Sequence, residues 1–227
     1  MTFQKIIHGE ANQTLKGLED SSIDLVVTDP PYLCSYRDRY GRKVANDTQP
    51  DAVLSVFPDL YRVLKPNSYL VLFCGWNAIA HFSGAWEAAG FCARGHIIFK
   101  KDYTSSARHV GYTHESAWIL TKGSPTPPAK PLSDVQKWIY TGNRNHPTEK
   151  AVEIISPLIR SFSRKDDVVL DPFLGSGTTA VSAALNGRSA IGIELEEKYC
   201  RHAENRLVGV NRYLAAKSGS QVLEEAA

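Results

Sequence analysis

Two clusters in this 227-residue chain have the residue types and spacing that chemistry requires. The first is Asp29-Pro30-Pro31-Tyr32. The exocyclic amine of a nucleic-acid base is a poor nucleophile, because its lone pair is delocalised into the ring. A carboxylate and a neighbouring carbonyl that accept its two N–H bonds favour the pyramidal form, whose lone pair can attack. Asp29 and the Pro30 carbonyl can be those acceptors. The prolines stiffen the turn, and Tyr32 offers a flat face on which an extruded base can stack. Attack on a sulfonium methyl then needs in-line positioning, with neither a metal nor a covalent intermediate. An Asp-Pro-Pro turn with a buried tyrosine and no ligand is the plain alternative.

The second cluster is Asp171-Pro172-Phe173-Leu174-Gly175-Ser176-Gly177-Thr178-Thr179, with Ala180 next. From Gly175 it fits G-x-G-x-x-G/A, whose glycines allow a tight turn and close approach of the backbone to a nucleoside cofactor. Glu194 follows about 20 positions later, the distance at which a carboxylate can hold a ribose diol. Taken alone, this suits a nicotinamide dinucleotide equally well, and a tight turn with no ligand stays open. A P-loop does not fit, because no lysine follows the glycines.

Both clusters need strands to present them. Ile23–Thr28 leads into the first and 168–170 into the second; short β-branched runs that end in turn residues read as buried parallel strands. Both clusters then sit at carboxyl ends, where open α/β sheets bind ligands. Further strands are expected at 6–8, 69–73, 96–99, 117–120 and 189–193, the fourth of these close behind the third and open to an antiparallel course. Helices are expected at 12–18, 51–64, 78–89, 148–162, 178–185 and 196–207, with Ser156-Pro157 splitting the fourth of them in two. This alternation marks an α/β fold with a doubly wound, mostly parallel sheet and one antiparallel strand. Residues 1–213 read as one domain. Segments 33–50 and 123–145 resist assignment to strand or helix and read as loops that face the nucleic acid, and 214–227 read as a disordered tail.

Composition sets bounds. The length suits one α/β core. A net charge of +2 means that any basic footprint is local. Four scattered cysteines without a CxxC pair argue against zinc and disulfides and suit a reducing cytoplasm. The longest apolar run is too short to span a bilayer, and the start carries no signal-peptide pattern.

From about His8 to Leu207 the chain resembles the amino-methylating DNA methyltransferases of the permuted group, in which the amine motif precedes the cofactor motif. The resemblance implies a Rossmann-like, S-adenosylmethionine-dependent fold and DNA modification of the kind found in restriction–modification systems. It places Asp171, Pro172, Phe173, Gly175, Ser176, Gly177, Thr178 and Thr179 around the cofactor, with Glu194 on its ribose hydroxyls. His146-Pro147-Thr148-Glu149-Lys150 matches a family segment that implies contact of His146, Thr148 and Lys150 with the cofactor; helix capping by Thr148 is the simpler reading. The family has proline after that lysine, where this chain has Ala151. Gly9-Glu10 stands where the family commonly has Gly-Asp, which implies contact of Glu10 with the cofactor adenine; an exposed loop glutamate is the plain alternative. Asp29, Pro30, Pro31 and Tyr32 become the catalytic motif, with Asp29 also beside the cofactor.

By the resemblance, Asp at the head of that motif implies adenine N6, a rule whose exceptions leave cytosine N4 the nearest rival. RNA-base and protein-glutamine methylation share the fold. A dehydrogenase leaves Asp29 to Tyr32 unexplained, and a silent nucleic-acid-binding module gives no reason for two complete motifs. Cytosine-C5 chemistry lacks its Pro-Cys nucleophile. Arg37, Arg39, Arg42 and Lys43, interleaved with Tyr36 and Tyr40, suit phosphate contacts, with a solvated loop as the alternative. Arg144 is a candidate base reader. The expected partners are double-stranded DNA and a second copy of the chain, with no membrane and no metal, in the cytoplasm at the nucleoid.

Overall fold

The two cluster-bearing runs become adjacent strands. In the computed structural model, which describes residues 2–36, 41–42, 44–105, 109–142, 146 and 148–225, β2 (Ile23–Thr28) pairs in parallel with β7 (Val168–Asp171) through Leu25↔Val169 and Val26↔Leu170. They lie inside an eight-stranded sheet. Its order is β1 (Gln4–His8), β8 (Ser189–Glu194), β7, β2, β3 (Leu64–Phe73), β5 (His114–Lys122), β4 (Cys92–Lys100) and β6 (Val135–Lys137). Only β5 runs against its neighbours. From β2 the chain proceeds to β3 on one side, and from β7 to β8 on the other. The gap between β2 and β7 is thus the switch point of the sheet, where the loops part and leave a crevice.

Alternation along the central strands supplies two cores. Leu25, Val27, Val71 and Phe73 face the layer of α5 (Val152–Phe162), α6 (Thr178–Leu185) and α7 (Glu197–Glu225). Val26, Leu70 and Leu72 face α1 (Ala11–Thr14), α2 (Pro50–Leu54), α3 (Phe57–Val63) and α4 (Ile79–Ala88).

Four expectations need correction. The helix expected at 51–64 is two helices, because the chain turns at Ser55–Val56 and Pro58 starts α3. α5 is unbroken although Pro157 lies inside it. Burial of Ile154, Ile155, Leu158 and Ile159 on the sheet outweighs the one backbone bond that proline removes. Segment 123–145 is not only a loop: it contributes β6, parallel to β4. The region 214–227, read as disordered, continues α7 as far as Glu225, in keeping with the helix-forming Leu214, Ala215 and Ala216. Arg37, Arg39, Lys43, Arg144 and Pro147 lie outside the described residues.

Candidate active site

Asp171 ties the two strand ends together. Its carboxylate accepts from Thr28 Oγ1 at 2.9 Å, Thr179 Oγ1 at 2.7 Å and the Phe173 N–H at 3.1 Å. It is 4 % exposed, and burial pushes its pKa up to about 6 against the pull of those hydrogen bonds. These contacts are internal, so Asp171 shapes the crevice between the turns at 29 and 172.

Above the strand ends opens a cavity of about 870 Å³. Asp29, at the end of β2, has both carboxylate oxygens engaged. Tyr32 donates its hydroxyl to Oδ1 at 2.7 Å, and the Lys150 ammonium bonds Oδ2. Burial and then the Asp29 charge raise the Tyr32 pKa well above that of a free phenol. Tyr32 is therefore a hydrogen-bond donor and a stacking surface at neutral pH, and not a base. Lys150 sits 5.1 Å from the Phe73 ring, 5.7 Å from Trp138 and 5.8 Å from Tyr32. The resemblance implies contact of Lys150 with the cofactor; in the structure its ammonium pairs with Asp29.

The other end of the cavity is built by the glycine turn. Glu194, closing β8, accepts the N–H groups of Gly175 at 2.8 Å and Glu196 at 2.7 Å. A carboxylate held this way on the cavity wall still has lone pairs for a vicinal diol. Pro172, Phe173, Glu10 and Thr148 line the same end. His146 lies over Gly175, 3.6 Å from where a Cβ would stand, and its ring meets Tyr199 edge-on at 4.5 Å. Gly175 itself takes a left-handed φ of 54°, a conformation natural to glycine. Arg42 also lines the cavity, near enough for its charge to act on His146 and Tyr199.

Ser176, Thr178 and Thr179 do not line the large cavity; they border a recess of about 40 Å³ that also touches Asp29 and Lys150. Arg206 of α7 donates to the Ser176 carbonyl at 2.7 Å and Thr178 Oγ1 at 3.1 Å, and Thr178 donates to the Lys150 carbonyl at 3.0 Å. The turn is thus fastened from behind. Arg206, on the helix expected at 196–207, is a supporting residue that the motifs do not reveal.

Burial and the Lys150 charge lower the His146 pKa to about 4, so the folded protein keeps this imidazole neutral where an unfolded chain protonates it. That difference removes stability as the pH falls from 6.5 toward 4, by about 2 kcal/mol at pH 5. Asp171 works in the opposite sense: its contribution is present below its unfolded value of 3.8 and is lost as pH rises through about 6. His146→Gln removes only the first effect. Urea unfolding at pH 7 and pH 5 should therefore show the variant gaining about 2 kcal/mol on the parent at the lower pH. A constant difference between variant and parent would contradict a buried neutral His146.

A family model described as DNA methylase, of the N6/N4 type, matches residues 23–205. The chain belongs to that family. YubD of Escherichia coli (strain K12), described provisionally as a methylase, is 47% identical over 208 residues, which are 92% of this chain and 92% of YubD. The DNA adenine methyltransferase YhdJ of the same strain is 26% identical over 249 residues, covering 92% of this chain and 84% of YhdJ. Among solved structures, the M1.HpyAVI–SAM complex superposes with a TM-score of 0.71 at 25% identity, over 90% of this chain and 99% of that one.

In this DNA methylase the Rossmann-like methyltransferase fold brings Asp29 and Glu194 into one cavity of a size suited to a small-molecule ligand. The residues present fit S-adenosylmethionine: a glycine turn that lets the backbone come close, a fixed carboxylate for the ribose, and Thr148 on the wall. The methylase also carries wall residues with no sequence signature. Trp138 enters just after β6, Lys101 just after β4, and Glu115 from β5. Trp76, 66 % exposed, stacks on Tyr112 at 5.8 Å. Cys34 stands by the amine motif, but burial and then Asp47 push its thiol up to about 11, which leaves no thiolate at neutral pH. Among the described residues no helix is long and apolar enough to cross a membrane, and no group of three metal-ligating side chains converges.

Proposed function

We propose that this methylase transfers a methyl group from S-adenosylmethionine to N6 of adenine in double-stranded DNA. The observation that carries the reading is the placing of Asp29-Pro30-Pro31-Tyr32 and the Gly175–Glu194 wall on one cavity, at the switch point between β2 and β7. An adenine methyltransferase among the relatives favours adenine. A base inside a duplex cannot enter such a cavity, so the target nucleotide is extruded first, at a cost of a few kcal/mol.

Within the cavity Asp29 accepts one amine N–H and the Pro30 carbonyl the other, which localises the nitrogen lone pair. Each Asp29 oxygen keeps a lone pair beside its bond to Tyr32 or Lys150. Tyr32 stacks on the base and holds it flat. Lys150 holds the Asp29 carboxylate in place. Glu194 accepts from the ribose hydroxyls, and Glu10, Thr148 and neutral His146 close that end. The bound cofactor supplies an electrophilic sulfonium methyl. The amine nitrogen would take the methyl carbon as its bond to sulfur breaks, the bonding pair staying on sulfur as a neutral thioether and the surplus proton on nitrogen passing to water, and most of the rate advantage comes from positioning.

Nucleoside mass spectrometry after incubation with S-adenosylmethionine and duplex DNA should detect N6-methyladenine. N4-methylcytosine alone would overturn the base assignment, and unmodified DNA the substrate. The reading extends to a homodimer working at the nucleoid, since a second subunit enlarges a DNA-facing surface that a short chain cannot build alone. Arg37, Arg39, Arg42 and Lys43 would contact phosphates and Arg144 a base. Light scattering tests the dimer.

A further inference from the structure

A second lysine–carboxylate pair stands in the cavity wall. Lys101 follows β4 and is only 6 % exposed. Its ammonium pairs with Glu115, near the start of β5, and donates to Ser105 Oγ at 3.3 Å. Because β5 is antiparallel to β3 and β4, its first residues lie at the carboxyl edge beside the ends of its neighbours. The Trp138 ring is 5.4 Å from the Lys101 ammonium and 5.7 Å from that of Lys150, which holds Asp29. Glu115 is close enough to Tyr32 for its charge to add to the rise in the phenol's pKa. The two ion pairs share one cavity with Tyr32.

Stability does not explain the second pair. Desolvation cancels much of the attraction in a buried ion pair, and apolar side chains of similar volume hold a fold as well or better. What the pair offers the cavity is a fixed donor. An ammonium has three N–H bonds, and two of those on Lys101 go to Glu115 and Ser105 among the described residues. An extruded base presents the matching need: the ring nitrogen beside its amine is an acceptor that loses its partner on leaving the duplex. Left unpaired in a buried site it costs about 1–3 kcal/mol.

We propose that Lys101, held by Glu115, donates its third N–H to the ring nitrogen next to the reactive amine, N1 of adenine. This rests on the adenine reading and deepens it, with Asp29 and the Pro30 carbonyl on the amine and Lys101 on the adjacent ring atom. Glu115 has an electronic part to play. A bare ammonium at N1 would draw electron density from the amine and blunt its attack; a paired one orients the base and withdraws less.

Mapping methylated bases in DNA treated with the enzyme gives the target sequence, and this step alone shows whether adenine is methylated at all. Duplexes with adenine, 1-deazaadenine or 7-deazaadenine at the target are then compared for the parent and Lys101→Met. The parent should lose about 10- to 100-fold in kcat/KM with 1-deazaadenine and little with 7-deazaadenine. Removing N1 makes the amine more electron-rich and the base pair weaker, so intrinsic reactivity and extrusion both run against such a loss. Lys101→Met should lose a similar factor on adenine and nothing further on 1-deazaadenine. A structural role would depress both duplexes together and keep the parental ratio, which overturns the proposal. Should Lys101→Met fail to fold, the parent still decides: equal rates on the two analogues, or a loss confined to 7-deazaadenine, overturns it as well.

Discussion

Asp29→Asn should lower turnover by about 10²–10³, the usual loss when a group aimed at the transition state is removed, while cofactor affinity changes modestly. Asparagine keeps an oxygen that can accept the Tyr32 hydroxyl now 2.7 Å from Oδ1, but its amide cannot pair with Lys150 or accept an amine proton as strongly. Alanine is the poorer probe, because it would also strip Tyr32 of its acceptor. Breaking the buried pair with Lys150 costs about 3–5 kcal/mol of stability even with asparagine, so kinetics belong at a temperature where the variant is folded by circular dichroism. Single-turnover rates and cofactor calorimetry on one preparation separate the effects. Equal losses in both would mean that Asp29 serves the cofactor end of the cavity rather than the amine.

Gly177→Val should damage the fold before it damages binding. The sequence suggests that this glycine lets the backbone approach a cofactor, yet the structure puts another demand on it. A Cβ there would lie 2.6 Å from the Ala203 Cβ and 2.9 Å from its Cα, and the residue has a φ of 87°. Gly177 is therefore the point where the start of α6 meets α7. A β-branched residue adds the left-handed penalty and overpacking, together about 2–5 kcal/mol. In a chain of this size that lowers Tm by roughly 10 °C. Differential scanning calorimetry without ligand decides between the two roles. An unchanged Tm with lost cofactor binding would restore the ligand-approach reading.

Much of the architecture is legible in the sequence, for a local reason. β2 and α6 have the bounds read from the sequence, because a buried parallel strand and an Ala-rich helix after a glycine turn each carry their signal within a few residues. The neighbourhood of β2 and β7 goes with the fold that the resemblance implies, in which the two motif-bearing strands meet at the switch point. Where the reading failed, a distant partner outweighed a local preference. Pro157 stays inside α5 because four apolar side chains around it find a sheet to cover. β6 forms because the β4 edge offers its three residues backbone partners, which no composition of 123–145 announces.

The same division runs through the site. Residue type and spacing sufficed to name Asp29, Tyr32, Gly175 and Glu194 and the chemistry they suit, because carboxylates, aromatic faces and glycine turns keep their properties wherever they are placed. Partnership was beyond them. That Lys150 holds Asp29, that Asp171 is spent on Thr28 and Thr179, that Gly177 makes room for Ala203, and that Lys101 and Glu115 face the same cavity all follow from strand order and helix packing. Hydrogen bonds and ion pairs act over a few ångströms, whereas most of these partners lie between 14 and 143 positions apart along the chain, so only the tertiary structure decides which of them meet.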